Sequence, residues 1–132
     1  MVRRVIEKEV RIDLVENPIP INYDDVPEYT KEDYEARIEK VLELCEQKGF
    51  SHLVVYGDRE HASNIQYLTG LDPRFEEALL VLQRGQKPKI FLGNECFVYA
   101  KIIKVDMDII LYDPFSLLGQ PRGNDSYLRD MF

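Results

Sequence analysis

Ala78-Leu79-Leu80-Val81-Leu82, Arg84-Gly85-Gln86-Lys87-Pro88 and Lys89-Ile90-Phe91-Leu92 follow one another almost without a break. The outer two segments are short apolar runs; the middle one is charged and carries Gly and Pro. That order predicts a β-hairpin: two antiparallel strands joined by a turn. Upstream, Leu53-Val54-Val55-Tyr56 is a third apolar run, too short for a helix and flanked by turn residues, and it reads as a buried strand. Downstream, Asp108 to Tyr112 reads as a further strand. Helical patterns separate these runs, so the chain belongs to the α/β class, with a mixed β-sheet because the hairpin must be antiparallel.

The best-marked helix runs from Lys31 to Lys48, with Tyr34, Ile38, Val41, Leu42 and Cys45 on one face at spacings of three and four. Thr30 and Asp33 fit a reciprocal cap at its start, with Tyr29 placed to pack on Tyr34. Gly49 supplies a left-handed stop, and Phe50 is placed to fold back on the last turn. Glu32, Glu35, Glu39, Lys40, Glu43 and Glu46 read as a solvated face. Asp58 is placed to cap a second, short helix containing Ile65 and Leu68 and ending at Gly70. Asn94 is placed to cap a third, from Glu95 to Ile103. Before Thr30, the alternation Val10, Ile12, Leu14 fits a short strand, and Pro18, Pro20 and Pro27 extend the rest of an arm over residues 1–29. A last helix begins at Asn124 or Asp125. Its apolar positions Tyr127, Leu128, Met131 and Phe132 reach the final residue without a stop signal, the pattern expected at a domain boundary. The domain proper is thus 30–132.

Composition narrows the function. The 132 residues hold 17 Lys and Arg against 24 Asp and Glu, a net charge of −7 that disfavours binding to a phosphate backbone. No apolar run approaches the ~20 residues of a membrane span and no signal-peptide core follows Met1, so a cytoplasmic location is expected. Cys45 and Cys96 read as reduced core thiols. Phosphate-cradling loops, the dinucleotide glycine motif and the serine-hydrolase elbow are missing from the sequence. His52 and His61 have no metal-ligand spacing, and Asp106-Met107-Asp108 lies where Asp serves a turn. No catalytic constellation emerges. Between Arg84 and Lys104, five basic residues face only Glu95; they fit strand-edge protection, or an acidic neighbouring domain or subunit. The remaining feature is Leu71-Asp72-Pro73-Arg74-Phe75, a loop offering a cation and an aromatic together. Arg suits a carboxylate and Phe an apolar group, while a plain connection with Phe75 tucked into the core is the alternative.

Asn64-Ile65-Gln66-Tyr67-Leu68-Thr69-Gly70, set between Leu53-Val54-Val55-Tyr56 and the hairpin strands, resembles the N-terminal domain of the creatinase, prolidase and aminopeptidase P family. Gly93-Asn94-Glu95-Cys96 is similar to a variant in bacterial X-Pro dipeptidase-like members. The resemblance covers about residues 30–132. It implies a mixed sheet flanked by helices with a ribonuclease H-like motif. It also implies a noncatalytic domain that contributes to a homodimer and to substrate access or specificity. In such proteins a separate C-terminal domain, with no counterpart in this sequence, hydrolyses Xaa-Pro peptide bonds or the C–N bond of creatine. It does so with two divalent metal ions, Mn being expected, held by Asp, Asp, His, Glu and Glu. The resemblance makes Arg74 and Phe75 substrate-contact candidates and assigns this chain no catalytic or metal residue. Related domains in inactive homologues act as protein- or peptide-binding modules, which is the alternative function.

Overall fold

The computed structural model describes residues 27–120. The strand expected over 10–14, most of the arm and the helix expected after Asn124 lie outside the described residues. Within them the order is α1 (Lys31–Gln47), β1 (His52–Gly57), α2 (Ser63–Thr69), β2 (Ala78–Gln83), β3 (Lys89–Leu92), α3 (Asn94–Tyr99) and β4 (Asp108–Leu111). Short 3-10 turns lie at Ala100–Ile102 and Asp113–Phe115. The strands form one sheet in the order β1-β2-β3-β4. β1 and β3 both pair antiparallel with β2, while β4 pairs parallel with β3 across α3. The class is therefore α/β with a mixed sheet, as the alternation of patterns implies.

β2 reads as an unbroken apolar run because both its faces are covered. On one face Ala78, Leu80 and Leu82 join Ile90 and Leu92 against Tyr34, Ile38 and Leu42 of α1 and Ile65 and Leu68 of α2. Cys96 of α3 belongs to the same cluster. On the other face Leu79, Val81 and Phe91 meet Tyr112 and Phe115. β1 corrects an expectation. Among the described strands it is an edge, with Val54 and Tyr56 exposed, rather than a buried strand; a short apolar run is compatible with either position.

α1 carries the expected capping box. The Asp33 amide donates to Thr30 Oγ1 at 3.3 Å and the Thr30 amide donates to Asp33 Oδ2 at 2.7 Å. The Tyr29 and Tyr34 rings meet edge-on, 6.0 Å apart. At the other end Gly49 (φ 76°) donates to Glu46 O and Phe50 to Cys45 O, the paired bonds of a Schellman stop. Phe50 returns only its backbone, because its ring is 61% exposed. The solvated face is partly engaged as well: Arg84, in the hairpin turn, pairs with Glu39 and Glu46. Lys87 binds Asp106 and Asp108 at 2.9 and 3.2 Å, and Lys104 lies 3.7 Å from Glu28. Three of the five basic residues noted above are thus met by carboxylates of this same chain. The Arg37 guanidinium lies over the rings of Tyr29 (4.1 Å) and Tyr67 (4.6 Å) and donates to Tyr67 O, pinning α1 to α2.

Two helix starts differ from the sequence expectation. Asp58 Oδ1 accepts from the amides of Glu60 and His61 and closes a local turn, while α2 begins only at Ser63. Asp capping a turn and Asp capping a helix present the same local sequence. α3 begins at Asn94 itself, with Gly93 at the cap, and ends at Tyr99 before continuing as a 3-10 turn. Its first amides are satisfied by side chains distant in sequence.

Candidate functional site

The loop after α2 is built by successive local constraints. Gly70 (φ 78°) ends the helix, donating to Gln66 O. Thr69 Oγ1 donates to Ile65 O at 2.7 Å and accepts from the Leu71 amide at 3.1 Å, turning the chain inward so that Leu71 is fully buried. Asp72 Oδ1 then accepts from the Arg74 amide at 2.8 Å. Arg74 is held at φ 57°, the one described non-glycine residue with positive φ. Left-handed backbone costs a side chain with a Cβ about 1–2 kcal/mol, so the loop is set by its surroundings rather than by local preference.

Opposite the loop stands α3, and the two enclose a groove of about 480 Å³ lined by Arg74, Phe75, Glu95, Val98, Tyr99 and Lys101, with Asp72, Pro73, Asn94 and Cys96 completing it. The Arg74 guanidinium lies over the Tyr99 ring at 5.4 Å, spanning loop and helix. Phe75 is 46% exposed, so it is not tucked into the core. A second hollow of about 460 Å³, which shares Asp72, Arg74 and Phe75, adds Arg59. Both sequence candidates, Arg74 and Phe75, are therefore brought to one groove.

Glu76 and Ser116, which sequence reasoning passed over, anchor the start of α3. Glu76, only 2% exposed, lies beneath α3. Its Oε1 accepts from the Glu95 amide at 3.2 Å and its Oε2 from the Cys96 amide at 2.7 Å. Ser116 Oγ accepts from the Asn94 amide at 3.0 Å. Cys96 Sγ donates to Pro73 O at 2.9 Å. Burial, and then the hydrogen bond and charge of Glu76, push the Cys96 thiol up to about 12, so it stays protonated and poorly nucleophilic at neutral pH. The only sequence signal for this arrangement was a Glu pair abutting the most apolar strand.

Among the described residues no group of three or more His, Cys, Asp or Glu could hold a metal ion. Asp106 and Asp108 share the Lys87 ammonium, and His61 lies on the surface against Asp58. The described residues therefore do not fit a two-metal centre. The groove offers a guanidinium fork beside aromatic and aliphatic walls, chemistry that suits a ligand with a carboxylate and an apolar part. No described helix is long and apolar enough to cross a membrane.

Fold and site together define an α/β domain with a ligand-sized groove between one loop and one short helix. Neither the family models nor the curated proteins compared with the sequence yielded a match. Among solved structures the chain is similar to the crystal structure of an XXA-pro aminopeptidase from Streptococcus pyogenes, with a TM-score of 0.50 and 24% identity. The match covers 61% of this chain and 57% of that one. At that identity the likeness shows a shared fold.

Proposed function

We propose that this chain is the noncatalytic, substrate-facing domain of an X-Pro dipeptidase or aminopeptidase P-like metallopeptidase. A separate C-terminal domain of the parent would carry two divalent metals, Mn being the expected ion, and cleave the Xaa-Pro bond. This domain would contribute to a cytoplasmic homodimer and to substrate access. The observation that carries the reading is the placement of Arg74, which is held in left-handed backbone, lines the groove and lies over the Tyr99 ring. A guanidinium there can take a peptide carboxylate while Phe75 and Val98 take apolar side chains. The fold likeness to an XXA-pro aminopeptidase supports the same reading.

The test is hydrolysis of Ala-Pro with Mn²⁺ by the purified 132-residue chain and by its parent. The chain alone is expected to be inactive and the parent active, with Arg74→Ala raising the parent's KM about tenfold, the loss of one charge-assisted contact. Metal-dependent turnover by the chain alone overturns the proposal. A parent that cleaves nothing yet binds proline peptides would establish the binding-module function instead.

A further inference from the structure

The geometry points to Glu76 as the positioning residue of the groove: its buried carboxylate holds α3 in register with the loop bearing Arg74, so the groove exists before any ligand arrives. The inference rests on the proposed function only for what the groove binds. α3 is six residues long, too short to be stable by itself, and no side chain of its own caps it. Glu76 directly follows Phe75, the last residue of the groove loop, and its two oxygens take one amide each from the opposite wall. One further tie runs between the same two walls, from Cys96 Sγ to Pro73 O at 2.9 Å. Gly93 is the complement of this latch. A Cβ there would sit 2.6 Å from Phe115 O and 2.7 Å from Glu76 Oε2, so only glycine lets the carboxylate reach the helix.

A carboxylate chosen merely to fill the core would be replaceable by an apolar side chain of similar size. A positioning carboxylate would show a graded response. Glu76→Gln keeps one acceptor oxygen and one of the two bonds, whereas Glu76→Met keeps the volume and neither bond. The 132-residue chain is examined by NMR, reading the Arg74–Tyr99 contact through the ring-current shift of the Arg74 side chain and the exchange rate of the Phe97 amide, which bonds Gly93 O. Exchange at Phe97 is expected to rise about tenfold in Glu76→Met and by less in Glu76→Gln, with α1 amides unchanged. The Arg74 shift should collapse in the same order. Gly93→Ala, which keeps the carboxylate but blocks its approach, is expected to reproduce Glu76→Met and serves if that variant does not fold. An unchanged Arg74 shift in the folded variants overturns the inference. So does an equal loss of protection in α1 and α3, which would make Glu76 a residue of general stability. None of these readouts involves a substrate, so failure of the peptidase reading leaves the assignment of Glu76 standing.

Discussion

Arg74 combines a backbone cost with a side chain that faces the groove. The two contributions separate by substitution. Arg74→Ala loses the guanidinium and keeps a Cβ in left-handed space; Arg74→Gly loses both. The glycine variant should be more stable than the alanine variant by about 1 kcal/mol in urea denaturation, while both raise the parent's KM equally. Cys96 gives a second prediction at this scale. Its thiol, pushed up to about 12 by burial and Glu76, holds its proton where an unfolded thiol near 9 does not. The folded state therefore binds more protons than the unfolded one between those values. The contribution is complete below about pH 9 and is lost as pH rises toward 12. The difference in Tm between the wild type and Cys96→Ala should shift in favour of Cys96→Ala over that window, as read by circular dichroism.

At the scale of elements, Gly49 and Gly70 end α1 and α2 with nearly the same φ, 76° and 78°. Their surroundings differ. A Cβ at Gly49 meets nothing within 4 Å, whereas at Gly70 it meets Tyr34 Oη at 2.8 Å and Cζ at 3.1 Å. Gly49→Ala should cost about 1 kcal/mol, the left-handed backbone alone. Gly70→Ala should cost at least about 2 kcal/mol, because the Tyr34 ring is part of the core and must also move. Equal costs in chemical denaturation would mean that Tyr34 yields freely. α3 is the contrasting element: its start depends on Glu76 and Ser116, so it should unfold locally before α1 in native-state hydrogen exchange.

Across the whole molecule, the acidic chain ties its basic hairpin down by Arg84 to α1 and by Lys87 to the start of β4. These pairs lie largely in solvent. Arg84→Ala should therefore cost less than about 1 kcal/mol, and the cost should shrink further in high salt, as measured by paired denaturation curves. The same pairing bears on partners. Carboxylates of this chain already engage Arg84, Lys87 and Lys104, which weakens the case for an acidic neighbour drawn to that stretch.

Much of this architecture was legible in the order of residues. Periodicity placed α1 to within a residue, the Thr30–Asp33 pair marked its start, and Ala78 to Leu92 contained the hairpin complete, because those elements are closed by contacts within a few residues. Arg74 and Phe75 could be singled out for their chemistry. What the order of residues left open was decided across distances it does not display. Sheet position made β1 an edge among the described strands, a turn took Asp58 from α2, and a carboxylate nineteen residues before Glu95 supplied the cap that α3 lacks. Local hydrogen bonding and side-chain period are properties of neighbours in sequence. The groove depends on two segments meeting, and only the packed tertiary structure brings Glu76 beneath α3 and Arg74 against Tyr99.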